Sequence, residues 1–451
     1  MLKVWRFFTE GQTDTTQAAR WPFMALLLCV AASFIRFPGE WDNDTISQHA
    51  QMLAGVYRDW HPPIFAAFWG MLNKAWNTLT GMAYTGSGVI YTVHVLMFWS
   101  GMLLLLRASK KFWQAFAGAP QWKLSAVLAF FLFLAFFELV PILRLVFKDT
   151  AMVASYSLTV GIILNFPHKR LWRWLAFAAC LLLLFYGTGV RHNAAFAMIP
   201  LLALAVMGVS AKRSILLVLP VTLLIWAALL LGINQFTYGV LKSEHEYSLK
   251  EIFYNDIWKL NYKTKTFDLP PHMGGGNWDP LTREDFFKYF TNKPNITDSF
   301  EFIRKRYEPD ERFNIYTDFN GTKDDLDALR EFWFTKVSQH PGKYLQHRRV
   351  FFMDLMRNFS FMTQIGLVYL VFSCAILLHF TVKVVRRKTP ANLVPYFMVT
   401  SGLLYVLPYF FIAPAMQRRY LYWFYLTSFF GLVWFGKKFF SHYGLCRKNP
   451  Q

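Results

Sequence analysis

The run ILLVLPVTLLIWAALLLGIN, residues 215–234, carries no charge and is long enough to cross a bilayer as one helix. Runs of this kind recur along the chain. They predict ten spans, near 20–37, 84–106, 124–147, 150–166, 172–190, 193–209, 214–234, 362–383, 391–412 and 419–436. The fold class expected is therefore an all-α polytopic membrane protein. Composition agrees: 55% of the 451 residues are hydrophobic and 19% aromatic, with a mean hydropathy of +0.27. The N-terminal stretch MLKVWRFFTEGQTDTTQAAR is polar and amphipathic, and no small-residue cleavage site follows the first run. That run reads as a retained span.

The net charge of +20 would suit a nucleic acid, but its placement says otherwise. Threading the spans alternately puts RASKK, HKRLWR, AKR, KVVRRK and the tail GKKFF…CRK on one side, with the N-terminus. Basic loops mark the cytoplasmic side, so both termini are expected inside. Of the 27 acidic residues, 19 lie between residues 234 and 361, where 19 basic residues balance them. Glu10 and Asp14 sit in the N-terminal tail. Glu40, Asp42, Asp44, Asp59, Glu138 and Asp149 fall at or beyond the outer face. The positive charge is topological, and no nucleic-acid partner is expected. Cys29, Cys180 and Cys374 lie in spans and Cys446 in the inner tail, so no disulfide can staple the large outer loop. A bacterial inner-membrane protein fits best. Its parts are a tail (1–19), a membrane domain (20–234) with a first outer loop (38–83), a large periplasmic loop (235–361), C-terminal spans (362–436) and an inner tail (437–451).

Each outer loop carries polar residues. VFKDT holds Lys148 and Asp149, GVRHN holds Arg191, His192 and Asn193, and MQRRY holds Gln417, Arg418, Arg419 and Tyr420. Ionisable groups at membrane depth usually face a cavity or a partner. The first outer loop, RFPGEWDNDTISQHAQMLAGVYRDWHPPIF, is the densest. Over DNDTISQHAQMLAGVY a short surface helix would put Asp44 and Gln48 on one face, with Gln51 and Gly55 continuing it. Asp42 or Asn43 would cap it, and Pro62-Pro63 after His61 would stop it. IFAAFWGMLNKAWNTL reads as a second interfacial helix, with Trp69 and Trp76 suited to the headgroup zone. DALREFWFTKVSQHPGKYLQHRRVFFMDLM reads as amphipathic helices with a solvated basic face, and PHMGGGNWDP as a mobile stretch. Glu138 and Arg144 suggest a structural pair, and so do Lys148 and Asp149.

A first span, an outer loop with an Asp-bearing helix and then WHPP resembles the GT-C fold membrane glycosyltransferases, which draw sugars from polyprenyl phosphate. FKDT, VRHN and QRRY follow in the order of that family's polar outer loops. The resemblance implies a GT-C-like bundle with interfacial helices in the first outer loop and a mostly helical large outer loop. It also implies transfer of a sugar to a cell-envelope glycan or lipid acceptor at the periplasmic face, with inversion. Asp44 carries over as the general base, with Asp42 as runner-up and His61 beside it. Arg191, Arg418, Arg419 and Lys148 are the expected donor-phosphate contacts, because cationic forks suit phosphate oxygens. Gln48, Asp149, His192, Asn193 and Tyr420 are the further substrate-binding candidates.

No cofactor is implied. A divalent metal on Asp42, Asp44, Asp149, His61 and His192 has no diagnostic spacing to recommend it. The partners expected are the lipid-linked sugar, the acceptor and membrane lipids. The alternative is a transporter or flippase of a lipid-linked saccharide, which should carry charges near mid-bilayer or related halves. Neither is visible in the sequence.

Overall fold

The computed structural model describes residues 29–108, 143–210, 215–268, 322–357, 365–386, 393–412 and 417–431, together with Glu284 and Phe287. Among these the chain is helical, and no strand forms. PHMGGGNWDP, Glu138 and Cys446 lie outside the described residues, as does the side chain of Arg418.

Two helices build the first outer loop: α1 (Asn43–Ala54) and α2 (Ile64–Thr80). Asp42 caps α1 by accepting from the Thr45 amide at 3.0 Å. Gly55, in the left-handed region at φ 65°, ends it. The stop is therefore the glycine, seven residues before the prolines expected to supply it. A helix can close on an αL residue wherever one is available. Pro63 instead opens α2. Trp76 is exposed as expected, but Trp69 is fully buried, donating to the Gly86 carbonyl at 3.0 Å. Its partners Trp41 and His49 pack on it from α1's side, so it serves the core of this loop rather than a headgroup layer.

The bundle follows as α3 (Gly88–Ala108), α4 (Lys148–Leu164), α5 (Arg170–Gly189), α6 (Ala194–Val209) and α7 (Ile215–Asn234), which runs on into a π-helical turn at Gln235–Val240. Beyond the large loop come α11 (Ile365–Arg386), α12 (Val394–Val406) and α13 (422–431). Among the described residues four stretches are long and apolar enough to cross a membrane: Gly88–Leu105, Arg170–Gly189, Leu217–Val240 and Val394–Ile412. Two apolar helices, Ala194–Val209 and Gly366–Leu378, are shorter. Of the expected span 124–147, residues 124–142 lie outside the described set, and 144–147 are not helical.

Helix α4 is the axis of the bundle. Nearly all of its side chains are buried, including Ser155, Ser157 and Thr159. It packs between α3 and α5. The α3 crossing is backbone on backbone: a Cβ on Gly101 would stand 2.6 Å from the Leu158 nitrogen, and one on Gly161 2.9 Å from the Gly101 carbonyl. Small residues permit this close approach. Helix α7 faces the other way. Leu217, Leu224 and Leu231, seven residues apart, are 54%, 72% and 67% exposed, a surface that suits hydrocarbon.

In the large loop, α8 (Lys250–Thr264) packs on α9 (Lys323–Gln339) and α10 (Pro341–Arg357). A capping box between Thr322 and Asp325 starts α9. The solvated basic face expected here is not what forms around residues 347–348. Arg348 is wholly buried and donates to Asp256 at 2.7 Å, with His347 3.3 Å from the other carboxylate oxygen and Trp333 donating at 2.9 Å. A buried arginine needs such a partner, and the pairing joins all three helices.

Candidate active site

Three chain segments meet at one end of the bundle and are stitched by backbone. Glu40 exchanges bonds with residues 144 and 146, donating to the Arg144 carbonyl at 2.8 Å and accepting from the Val146 amide at 3.1 Å. Thr45 donates to the Val146 carbonyl at 2.7 Å. Gly39, at φ 96°, lets the chain pass Val146 and Tyr91, since a Cβ there would stand 2.4 Å from Val146. Arg144 pairs with Glu40 at 3.4 Å. These ties lay the first turn of α1 against the first turn of α4, so Asp44 meets Lys148 and Asp149.

The third segment, 417–421, brings Arg419 to both. Its guanidinium lies 2.7 Å from Asp44, 3.3 Å from Asp42 and 3.8 Å from Asp149, above the Phe147 ring at 4.5 Å. Lys148 stands 3.4 Å from Asp44 and 2.5 Å from Nδ1 of His61, while Nε2 of His61 lies 3.4 Å from Asp44. Lys148 and Asp149 do not pair with each other. Asp149 is fully buried and faces Arg191 at 3.1 Å. Arg191 in turn donates to the Tyr409 hydroxyl at 2.9 Å and lies 4.6 Å over the Tyr420 ring, which stacks on Tyr409.

Electrostatics follow from this packing. Burial pushes the Asp44 carboxyl upward, but the hydrogen bond from His61 and the charges of Lys148 and Arg419 outweigh it and hold the group far below the usual carboxylate range. Burial lowers His61, and the Lys148 charge adds to that against the pull of Asp44. His61 is thus neutral near pH 7, with Lys148 donating to Nδ1 and Nε2–H turned toward Asp44. Burial also lowers Lys148 to about 8, partly offset by Asp44. His192 is exposed to solvent, yet protein surrounds it closely enough to bring it down to about 4.

The structure thus gathers Asp42, Asp44, His61, Lys148, Asp149, Arg191, Arg419 and Tyr420. Gln48 is buried one turn beyond Asp44, and its amide nitrogen finds no partner among the described residues. Asn193 donates to the Tyr405 carbonyl at 3.4 Å, where it ties α6 to α12. Among the described residues no group of three or more metal-ligating side chains forms; each acid of the cluster faces a cation instead.

Sequence reasoning missed two contributors. Tyr409 sits in the apolar run VLPYFFI, which gives no sign of a buried arginine beside it. Asp59, midway along the first outer loop, accepts from the Tyr238 hydroxyl, His245 Nδ1 and the Glu246 amide at 2.9, 2.9 and 2.6 Å. The acid was visible, but its partners lie some 180 residues away in the chain. No family model, no curated protein and no solved structure matches this chain.

Proposed function

We propose that this chain is a membrane glycosyltransferase that moves a sugar from a polyprenyl-phosphate donor to an envelope glycan or lipid acceptor at the periplasmic face of a bacterial inner membrane. The observation that carries the reading is Asp44, a carboxylate set among Lys148, His61 and Arg419 at the end of an apolar helical bundle. A lipid-tethered phosphate reaches a protein at the end of its spans, where cations can hold its oxygens.

In this reading Arg419 and Lys148 turn from the carboxylates to the donor phosphate as it enters. Asp44 then loses part of its neutralising charge, which raises its basicity when an acceptor hydroxyl lies against it. The acceptor oxygen attacks the anomeric carbon, Asp44 takes its proton, and the bonding pair of the glycosyl–phosphate link leaves with the phosphate. One displacement inverts the anomeric centre. Arg191 and Asp149 hold the position of Arg419 from beneath. A transporter of lipid-linked saccharide, the competing reading, leaves Asp44 and its cations without a chemical task.

The test is direct. Purified protein is supplied with synthetic polyprenyl phosphates carrying labelled hexoses or pentoses, together with envelope extract. Label should pass to an extract component from one donor class. Vesicle translocation of the same donors without transfer would replace this reading with the transporter.

A further inference from the structure

His61 reaches the cluster on a short connection, residues 55–63, between the end of α1 and Ile64 at the start of α2. The buried Pro62 and Pro63 fix its downstream end. Upstream, α1 contributes a tie through Gln51, whose side-chain oxygen accepts from the Arg58 amide at 3.0 Å.

The stronger support comes from the first residues of the large loop. Glu244 donates its amide to the Tyr57 carbonyl at 2.9 Å, and Asp59 donates its amide to the Glu244 carbonyl at 3.0 Å. The Asp59 carboxylate then accepts from the Tyr238 hydroxyl and from His245 Nδ1, each at 2.9 Å, and from the Glu246 amide at 2.6 Å. Tyr238 stands on the π-helical turn that ends α7, and its ring lies 4.4 Å from that of His245. Lys250, the first residue of α8, lays its ammonium 5.4 Å from the centre of the Trp60 ring, one residue before His61. Asp59 is where α7, the large loop and the first outer loop meet.

Two observations separate this junction from an ordinary loop contact. Asp59 is buried, so its carboxylate depends on these three donors in place of water. Lys242 and Tyr247 bracket the docked segment at φ 50° and 53°, a left-handed region that residues with side chains rarely adopt. Such backbone persists where surrounding contacts hold it.

We propose that Asp59 is a positioning residue for His61: by fastening the large loop to the connection, it holds the imidazole between Lys148 and Asp44. This rests on the glycosyl-transfer reading, in which those two groups act on donor and acceptor. His61 lies 2.5 Å from the Lys148 ammonium and 3.4 Å from Asp44. A displacement of about 1 Å opens both contacts, and misplacement of that order can cost about 10²-fold in rate. The partners of Asp59 lie in α7 and the large loop, so it acts through His61 and takes no part in the chemistry. The site is then complete only when the start of the large loop is docked.

The experiment is a double-variant cycle in the labelled-sugar assay, with wild type, Asp59→Ala, His61→Ala and both together at matched protein levels. Asp59→Ala should transfer about 10- to 100-fold more slowly. Once His61 is absent, Asp59→Ala should cost almost nothing further, because the residue it acts through is gone. A merely structural Asp59 would cost the same factor in both backgrounds. That result overturns the proposal and leaves the transferase reading standing. Asp59→Asn keeps the size and one accepting oxygen, and it runs the same cycle if the alanine variant does not fold. Arg58→Ala is the control. Its pairs with Glu244 and Glu246, at 3.3 and 3.4 Å, are exposed, so the rate should change little. A loss equal to that of Asp59→Ala would move the role away from the carboxylate and overturn the assignment.

A second readout needs no turnover. In nitrogen NMR spectra of the histidine-labelled protein at neutral pH, the His61 signal is identified by its loss in His61→Ala. It should report a single neutral ring with its proton on Nε2 in wild type, and should broaden or split between the two ring nitrogens in Asp59→Ala. A His61 signal unchanged in Asp59→Ala overturns the positioning. A wild type that transfers no sugar from any donor overturns the transferase reading, and the histidine spectrum then decides the positioning alone.

Discussion

At the scale of single residues, Asp44 and Asp42 share Arg419 but differ in role. Asp42 is the cap of α1, held by Thr45, whereas Asp44 faces Lys148, His61 and Arg419 together. Asp44→Asn keeps the shape and removes the basicity, so transfer should drop about 10²–10⁴-fold with donor binding near normal. Asp42→Asn should lose far less, and equal losses at matched protein levels would count against Asp44 as the base. The arginines separate in the same way. Arg419 reaches three acids, and its change to Lys removes the fork and should weaken polyprenyl-phosphate binding. Arg191 is buried on Asp149 and Tyr409, so Arg191→Lys should show first as lowered thermal stability. Lys148, lowered to about 8, adds an alkaline limb. Its cation is present below that pH and lost above it, so donor affinity measured by titration should fall as pH rises through 8. Much of this cluster was legible because the motifs are polar islands in apolar sequence. What the sequence hid is which acid meets which base. Lys148 and Asp149 are neighbours in the chain, yet a helical first turn aims them at different partners.

At the scale of elements, the α3–α4 crossing fixes where the first turn of α4 stands, and with it Lys148 and Asp149. Gly101→Ala places a methyl 2.6 Å from backbone atoms of α4, which cannot rotate away as a side chain would. Helix separation should destabilise the bundle by about 1–3 kcal/mol. Thermal unfolding in detergent checks this, with Gly232→Ala as the control. The nearest atom to a Cβ at 232 is 3.5 Å away, so that variant should be neutral or slightly more stable. Element boundaries were partly readable. Helix α2 begins at Ile64 as the sequence suggests, because Pro63 suits a helix entry. The end of α1 was misread, because Gly55 looks like one more small residue on a surface helix until its left-handed φ is seen. Trp69 was misread for a related reason: aromatic residues at helical spacing do not reveal which of two faces is the covered one.

At the scale of the whole molecule, sidedness is the expectation that most needs measurement. The bias of the basic loops places residues 40–80 and 240–355 outside and 108–122 and 384–390 inside. An impermeant thiol reagent should label a cysteine placed at Asn277 in intact cells, and protection there would reverse the scheme. The helical class was legible because apolar runs are long and uninterrupted. The number of crossings was less so, since α4 and α6 are buried helices of 17 and 16 residues whose tilt the sequence does not encode. The cluster at the end of the bundle has one more consequence. Asp42, Asp44 and Asp149 stand against Lys148, Arg191 and Arg419, so its formal charges cancel. Such a site casts almost no field beyond a Debye length and cannot draw an anion in from afar. In the glycosyl-transfer reading we propose, the donor comes to it by sliding within the bilayer, and its capture rate should hardly change with ionic strength.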